Sequence, residues 1–87
     1  MTRAFAEQIR KLHLKFAIER GHEKTYCPSE VAGQLGTPNW KDQMQNVRKI
    51  ADALVNEDII EVPQNGTVLT ENPSRANGPI RLRLKKV

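Results

Sequence analysis

The sequence predicts an α+β domain of the winged helix-turn-helix type, with three helices followed by a C-terminal β-hairpin wing. Three observations carry the prediction. Apolar residues recur at helical spacing near the start and in the middle of the chain. Helix-capping residues stand at the boundaries of these stretches, and the last residues alternate apolar and basic side chains with the period of a strand. The 87 residues have room for one domain, 1–87, centred on a helix-turn-helix at 27–58.

The first helix is predicted over residues 3–20. Its apolar side chains fall on one stripe, formed by Phe5, Ile9, Leu12 and Phe16. Gly21 follows as a helix C-cap residue. Leu14 and Ile18 lie nearly opposite the stripe, which leaves two interpretations open. Either a sheet or the C-terminal strand covers them, which we favour, or they form a dimer interface.

The second helix is short, and capping residues mark its ends. Pro28 fits the first helical position, where its missing N–H is harmless, and the Glu30 carboxylate favours the helix start. The inward face consists of Val31, Ala32 and Leu35. Gly36 fits a left-handed cap. Before this helix, residues 24–26 are predicted to form a three-residue strand that pairs with the later hairpin.

The third helix is predicted as one continuous helix over residues 38–57, with Thr37 as its N-cap and Pro38 as its first residue. A sustained helical spacing places five side chains on one stripe: Trp40, Met44, Val47, Ala51 and Leu54. If Trp40 is buried, its truncation to alanine should cost about 3–5 kcal/mol. This stripe is expected to seal against the first two helices.

The main hairpin is predicted between residues 59–63 and 80–84, and residues 64–79 are predicted to form a long wing. Asn65 and Gly66 fit a tight turn that needs positive φ, and residues 67–70 suggest a short return strand whose register stays open. The strict alternation in 80–84 predicts that three apolar side chains face the core and two arginines face solvent, namely Ile80, Leu82 and Leu84, and Arg81 and Arg83.

Several of these residues occur together at a joint spacing that is fairly specific: Cys27-Pro28-Ser29-Glu30-Val31-Ala32, then Trp40, Met44, Val47-Arg48, Ala51 and Leu54, and finally Gly78-Pro79-Ile80-Arg81-Leu82. Over residues 27–84 the chain thereby resembles a family of short, functionally unassigned bacterial proteins, a domain of unknown function with an inferred winged-helix fold. The family pattern usually has glycine where this chain has Asp58, which puts the end of the third helix in question. The resemblance implies the fold and brings no ligand.

A nucleic-acid interface is predicted on the third helix. In a helix-turn-helix this helix enters the major groove of double-stranded DNA and presents its N-terminal half to base edges. That half carries side chains that can pair with bases or reach phosphates: Lys41, Gln45, Asn46 and Lys49. Arg75 on the loop could enter a minor groove. Phosphates could be met by the C-terminal cations Arg81, Arg83, Lys85 and Lys86.

The distribution of charge along the sequence predicts that the C-terminal end contributes more to anion binding than the third helix does. The net charge of +4 and the pI near 9.6 permit an anionic partner without requiring one. Residues 37–60 carry three Lys/Arg and four Asp/Glu, whereas residues 61–87 carry five and two. Asp42 and Asp52 share the polar face of the third helix, so DNA contact and an ordinary solvated face both stay open for it. The strongest hold on an anion is expected from the C-terminal cations.

DNA binding, in the role of a transcriptional regulator, is the function we expect. The alternative is a winged-helix module that binds another protein, or a second copy of itself, through Leu14 and Ile18. The sequence has no catalytic constellation, no metal-finger spacing and no phosphate-binding glycine loop. We therefore predict no enzyme activity, cofactor, metal or small-molecule ligand. One cysteine, no visible signal peptide and no long apolar run predict a cytoplasmic protein.

The matched segments also contain residues with both a structural and a functional interpretation. Cys27 is either a packing residue at a helix start, which we favour, or a redox-sensitive thiol. Arg48 is expected to pack its stem and to pair with Asp52 at i,i+4 rather than to contact a base. Gly78 and Pro79 are expected to shape the return from the wing to the last strand, while the role of Arg81 stays open.

Overall fold

In the computed structural model the chain is a mixed α+β protein, and residues 1–86 are described; Val87, the last residue of the predicted domain, lies outside them. Three α-helices precede a set of two-residue strands: α1 Arg3–Arg20, α2 Pro28–Gly33, α3 Met44–Asn56, β1 Ile60–Glu61, β2 Pro63–Gln64, β3 Thr67–Val68 and β4 Arg83–Leu84. The α+β class and the predicted order of helices before strands are confirmed. Within the described residues, no helix is both long enough and apolar enough to cross a membrane.

Helix α1 has the predicted bounds, and two local residues explain its ends. The Thr2 hydroxyl accepts a hydrogen bond from the Phe5 N–H at 3.1 Å, which satisfies one of the free donors of the first turn. At the other end Gly21 has φ +75°, a backbone conformation that L side chains rarely adopt. The predicted apolar stripe packs on the core, and the fully buried line of the helix consists of Ile9, His13 and Ala17.

His13 lies in the core and is completely buried. Its Nε2 is 2.9 Å from the Val47 carbonyl oxygen, which only accepts, so Nε2 carries the proton. Nδ1 then accepts a hydrogen bond from the Tyr26 hydroxyl at 2.9 Å. Burial lowers the pKa of His13 to about 4 and raises the pKa of Tyr26, because it disfavours the charged form of each ring. Both polar rings therefore enter the core neutral and hydrogen-bonded.

The two apolar residues on the far side of α1 have different environments. Leu14 is partly buried and packs against the core, as the favoured interpretation predicted. Ile18 is 67% exposed, so the prediction that a sheet or strand covers it is wrong. The last turn of α1 therefore presents this side chain to solvent.

Helix α2 begins as the sequence predicts, and a carboxylate ties its start to α1. Pro28 is the first helical residue, and the Glu30 side chain accepts a hydrogen bond from the Cys27 N–H at 2.8 Å. Glu30 also pairs with Arg20 at 2.6 Å. Hydrogen bonding from Arg20 holds the pKa of the Glu30 carboxyl below its usual range. Gly36, at φ +72°, then turns the chain away from the helix as predicted.

The prediction of one continuous helix over 38–57 is wrong at its start. Asn39 has φ −103° and ψ 34°, which is outside the α-helical region and breaks the continuity. A 3₁₀ turn follows at Trp40–Gln43, and α3 begins only at Met44. Because a 3₁₀ turn winds more tightly than an α-helix, the predicted stripe loses its register here. Trp40 is only partly buried as a result, so its full truncation penalty does not apply.

Thr37 is wrong as a helix N-cap for the same reason. The next helical segment is the 3₁₀ turn at Trp40–Gln43, and the residue that precedes it is Asn39 rather than Thr37. Its hydroxyl is buried and has no hydrogen-bond partner among residues 1–86. The later part of the predicted stripe is confirmed, since α3 buries Val47, Ala51 and Leu54 completely.

The strands form two separate antiparallel pairs. In the first, β1 pairs with β4, as predicted for the main hairpin, with Ile60 opposite Leu84. Tyr26 extends this pair through two backbone hydrogen bonds with Leu82, each 2.8 Å long. A single bridge thus stands where a three-residue strand was predicted. The alternation of the last strand is confirmed at Ile80 and Leu82, which are buried.

The second pair defines the register that the sequence left open. Strand β2 pairs with β3, with Pro63 opposite Val68. The turn between them has φ +50° at Asn65 and φ +82° at Gly66, which is the two-residue hairpin geometry that Asn-Gly favours. The Leu69 N–H also donates to the Val62 carbonyl at 2.8 Å, so the return strand continues just beyond β3.

The end of α3 explains the difference from the family pattern at Asp58. Helix α3 ends at Asn56, and Asp58 has φ +61°. This left-handed conformation is one that glycine adopts without a steric cost and that aspartate tolerates better than most residues. The substitution therefore leaves the course of the chain from α3 into β1 unchanged.

Candidate nucleic-acid interface

The loop at 72–78 lies along α3 and covers part of the face that was predicted to read bases. The Asp52 carboxylate accepts hydrogen bonds from the Ser74 N–H at 2.9 Å and from the Ser74 hydroxyl at 2.5 Å. Two helical turns earlier, the Gln45 side chain donates to the Ser74 carbonyl at 3.3 Å. Asp52 is therefore used to hold the loop, and Gln45 stands at its edge.

Arg48 is also committed to this loop. Its guanidinium donates to the Ala76 carbonyl at 2.9 Å and to the Gly78 carbonyl at 2.8 Å. The predicted ion pair with Asp52 is wrong, because each side chain finds partners in the loop that i,i+4 spacing could not reveal. The prediction that Arg48 is not a base-contacting residue remains consistent with this role.

The cations that remain on the solvent side of α3 surround Gln45. Lys41 precedes it by four residues, Lys49 follows it by four, and Arg75 comes directly after the serine to which Gln45 donates. All three cations are exposed and have no carboxylate partner among the described residues. We define these four residues, Lys41, Gln45, Lys49 and Arg75, as the α3 surface.

Two features limit the polar and positively charged groups that this surface offers to a ligand. Asn46 is half-buried, and its side-chain amide donates to Gln43 at 2.9 Å, so it contributes less to the exposed face than predicted. Asp42, in the 3₁₀ turn, is exposed beside Lys41. The Lys41 ammonium itself lies 5.6 Å from the Trp40 ring centroid, a distance within the range of a cation–π contact.

Three of the four C-terminal cations, from which the sequence predicted the strongest hold on an anion, have carboxylate partners. Arg83 pairs with Glu61 across β1 and β4, through a hydrogen bond of 2.9 Å from its Nε and a second contact from its terminal nitrogen. Their side chains are only 16% and 9% exposed. The prediction that Arg83 faces solvent is therefore wrong, because the register of the strand pair places it opposite a buried carboxylate.

The lysines after Arg83 are paired as well, although at the surface. Lys85 lies 2.8 Å from the Asp58 carboxylate, and Lys86 lies 3.2 Å from that of Glu23. Exposed ion pairs of this kind are weak and remain open to exchange with other anions. Of the predicted C-terminal phosphate contacts, Arg81 alone has no carboxylate partner within residues 1–86.

Arg81 borders a cavity of about 400 Å³ that the sequence did not predict. The cavity lies between the start of α2, the first half of α3 and the chain that leads into β4. Its lining consists of Cys27, Pro28, Ser29, Met44, Arg48, Gly78, Pro79, Ile80 and Arg81. Every one of these residues belongs to the segments through which the chain resembles its family, so segments far apart in sequence meet at one place.

The joint spacing of those segments was the available signal for this cavity. Periodicity could not find it, because Gly78 and Pro79 lie outside any helix or strand. Cys27 is only partly exposed at the cavity edge, as a free thiol.

Elsewhere, His22 contacts the Lys85 carbonyl at 2.8 Å. Within residues 1–86 no three His, Cys, Asp or Glu side chains stand close enough together to hold a metal ion.

The molecule is thus a small α+β protein in which a polar, cationic surface on α3 adjoins a loop held by Asp52 and Arg48. Comparison with family models identifies the family of the chain. The chain belongs to the family described as protein of unknown function (DUF3253), whose model matches residues 6–85. The predicted membership in a domain-of-unknown-function family is confirmed. A search of curated proteins gave no match.

Proposed function

We propose that the protein is a winged helix-turn-helix protein that binds double-stranded DNA, with a role in transcriptional regulation. The order of elements supports this fold: α2, a glycine turn, α3 and then antiparallel strands. The β2–β3 hairpin supplies the wing. In a helix-turn-helix the helix corresponding to α3 lies in the major groove, and its N-terminal residues contact base edges.

The observation that carries the proposal is the α3 surface. It carries three cations that have no carboxylate partner among residues 1–86, together with Gln45, whose amide can pair with the edge of an adenine. Lys41, Lys49 and Arg75 would each neutralise one phosphate, which fixes the register of the helix on the duplex. Arg83 is not part of this proposal, because its charge is already balanced by Glu61 within the fold. Lys85, which pairs with Asp58 at the surface, lies outside the α3 surface and is not part of it either.

The salt dependence of binding tests the proposal. Three phosphate contacts predict that log K falls with log salt concentration with a slope of about −2.7, at about −0.9 for each contact. The Lys49→Ala variant should weaken binding to all duplexes and reduce the size of the slope by about 0.9. Fluorescence anisotropy with a labelled mixed-sequence duplex, repeated over a series of salt concentrations, measures both quantities.

Lys11→Ala is the matched control. Lys11 is an exposed lysine of α1, outside the α3 surface, and its removal changes the net charge by the same amount. The control should leave the affinity and the slope close to those of the unmodified protein. Absence of binding at low salt would sink the proposal, and an equal loss in the Lys11 and Lys49 variants would show that only overall charge attracts the duplex.

A second candidate is a module that binds another protein, or a second copy of this chain, through α1. The exposure of Ile18, at 67%, favours it, whereas Leu14 is packed against the core and contributes less. Light scattering tests the self-association form: a dimer that Ile18→Lys converts to a monomer supports it, and a monomer at every concentration removes it.

A further inference from the structure

The cavity beside Arg81 combines features that the DNA-binding proposal does not use. Its volume of about 400 Å³ lies within the range of pockets that hold small molecules. Met44, Pro28 and Ile80 supply apolar side chains to its lining, together with the ring of Pro79. These groups suit the body of a small organic ligand rather than a fully hydrated inorganic ion.

The charged groups at this cavity have one sign. Arg48 and Arg81 both line it, and no carboxylate does so among residues 1–86. The nearest carboxylate on α2, that of Glu30, already pairs with Arg20 and accepts from the Cys27 N–H. The two guanidinium groups give this cavity, which is open to solvent on one side, a local positive charge. The local chemistry therefore favours an anion.

Arg48 and Arg81 have different roles in this arrangement. Arg48 is fixed by its hydrogen bonds to the carbonyls of Ala76 and Gly78, which use two of its five donors. It supplies a positive charge whose position does not depend on a ligand. Arg81 is exposed, and it makes a single 3.3 Å contact to the carbonyl of Ile80. Most of its donors are therefore available to a ligand.

We propose that this cavity binds a small organic carboxylate, with the apolar part of the ligand against Met44 and Ile80 and the carboxylate on Arg81. A guanidinium and a carboxylate form two parallel charge-assisted hydrogen bonds, which gives the head group its direction. The Ser29 hydroxyl, also in the lining, offers a further donor. The site goes beyond DNA binding and does not depend on it, since none of its residues belongs to the α3 surface.

Benzoate is a suitable probe, because it combines a carboxylate with one apolar ring. Titration of the ¹⁵N-labelled full chain with benzoate should shift the amide signals of the cavity segments, at 27–29, 44–48 and 78–81. Benzamide has the same shape without the charge and should bind at least about tenfold more weakly, as the loss of a charge-assisted hydrogen bond predicts. Inorganic phosphate, which lacks the apolar body, should also bind more weakly than benzoate.

Arg81→Gln is the decisive variant. Its side chain is exposed and lies outside the core, so the fold should remain intact, and benzoate affinity should fall at least about tenfold. Arg3→Gln is the matched control, because it removes an exposed arginine of α1 that lies outside both the cavity and the α3 surface, and it should retain benzoate binding.

Four results would overturn the proposal. Equal affinity for benzoate and benzamide would remove the role of charge, and equal affinity for phosphate would remove the role of the apolar walls. Shifts outside the cavity segments, or unchanged binding in Arg81→Gln, would place the ligand elsewhere. No DNA is present in these titrations, so their outcome is independent of the proposed DNA binding.

Discussion

The cations of the α3 surface and those at the C-terminal end are the same residue types, but they have different surroundings in the fold. Lys41, Lys49 and Arg75 are exposed and have no carboxylate partner among the described residues, whereas Arg83 and Lys85 each pair with one. A count of charges along the sequence favoured the C-terminal end as the anion-binding region. The ion pairs argue for the α3 surface instead. The density of charge along the sequence therefore predicts a binding surface only when the carboxylate partners of each cation in the fold are taken into account.

The largest expected effect comes from breaking the pair between Glu61 and Arg83. Arg83→Ala should destabilise the protein by about 3 kcal/mol, because it leaves the carboxylate of Glu61 buried and unpaired. Lys49→Ala, on the free surface, should change the free energy of unfolding by less than about 0.5 kcal/mol. Urea denaturation measures both variants.

A double substitution separates the charge from the packing at this pair. Glu61→Leu combined with Arg83→Leu removes both charges and should recover most of the lost stability, since an apolar pair avoids the unbalanced buried charge. If Arg83→Ala proves no more destabilising than Lys49→Ala, the distinction between committed and free cations does not hold.

The position of this pair shows what sequence reasoning could and could not supply. The alternation of residues 80–84 and the Asn65-Gly66 turn are local signals, and both led to correct strands. Pairing the predicted strand ends, 59 with 84, would however have placed Glu61 opposite Leu82, whereas the observed partner is Arg83. A shift of one residue moves side chains to the other face of a strand, and only tertiary packing fixes it.

The loop at 72–78 and the start of α3 are the other places where local signals were insufficient. The bounds of α1 and the caps of α2 depend on neighbouring residues, so they were predicted correctly. The contacts of Asp52 and Arg48 with Ser74, Ala76 and Gly78 join positions more than twenty residues apart. No periodicity encodes the path of such a loop, and the cavity that it helps to form was missed with it.

The buried rings of His13 and Tyr26 allow a second comparison. The Glu61–Arg83 pair keeps its charges in the fold, whereas these two rings must stay neutral. In the folded protein the pKa of His13 is about 4, below its ordinary value of 6.5. Its contribution to stability is therefore fully present above about pH 6.5 and is lost as pH falls toward 4. Over that range the free energy of unfolding should fall by about 3 kcal/mol, at 1.36 kcal/mol for each pKa unit.

Urea denaturation at a series of pH values tests this slope. His13→Gln should flatten it, because the variant has no buried group that must be protonated on unfolding. His22→Gln is the matched control: His22 is exposed, and its removal should leave the slope attributable to His13 in place. A pH profile that is the same for the His13 variant and the unmodified protein would show that another group causes the loss.

The smallest expected effect distinguishes the two roles of Asp58, which pairs with Lys85 and also holds a left-handed backbone. The ion pair is open to solvent, with side chains 44% and 75% exposed for Lys85 and Asp58, so Lys85→Ala should cost less than about 0.5 kcal/mol. The backbone at φ +61° should matter more. Asp58→Val should cost at least about 1 kcal/mol, because a β-branched side chain fits that conformation poorly. Asp58→Gly, which also loses the ion pair, should stay within about 0.5 kcal/mol of the unmodified protein. If the glycine and valine variants unfold at the same urea concentration, the ion pair between Asp58 and Lys85, rather than the backbone conformation, determines the stability at this position. The exposed C-terminal cations would then also contribute to the stability of the fold.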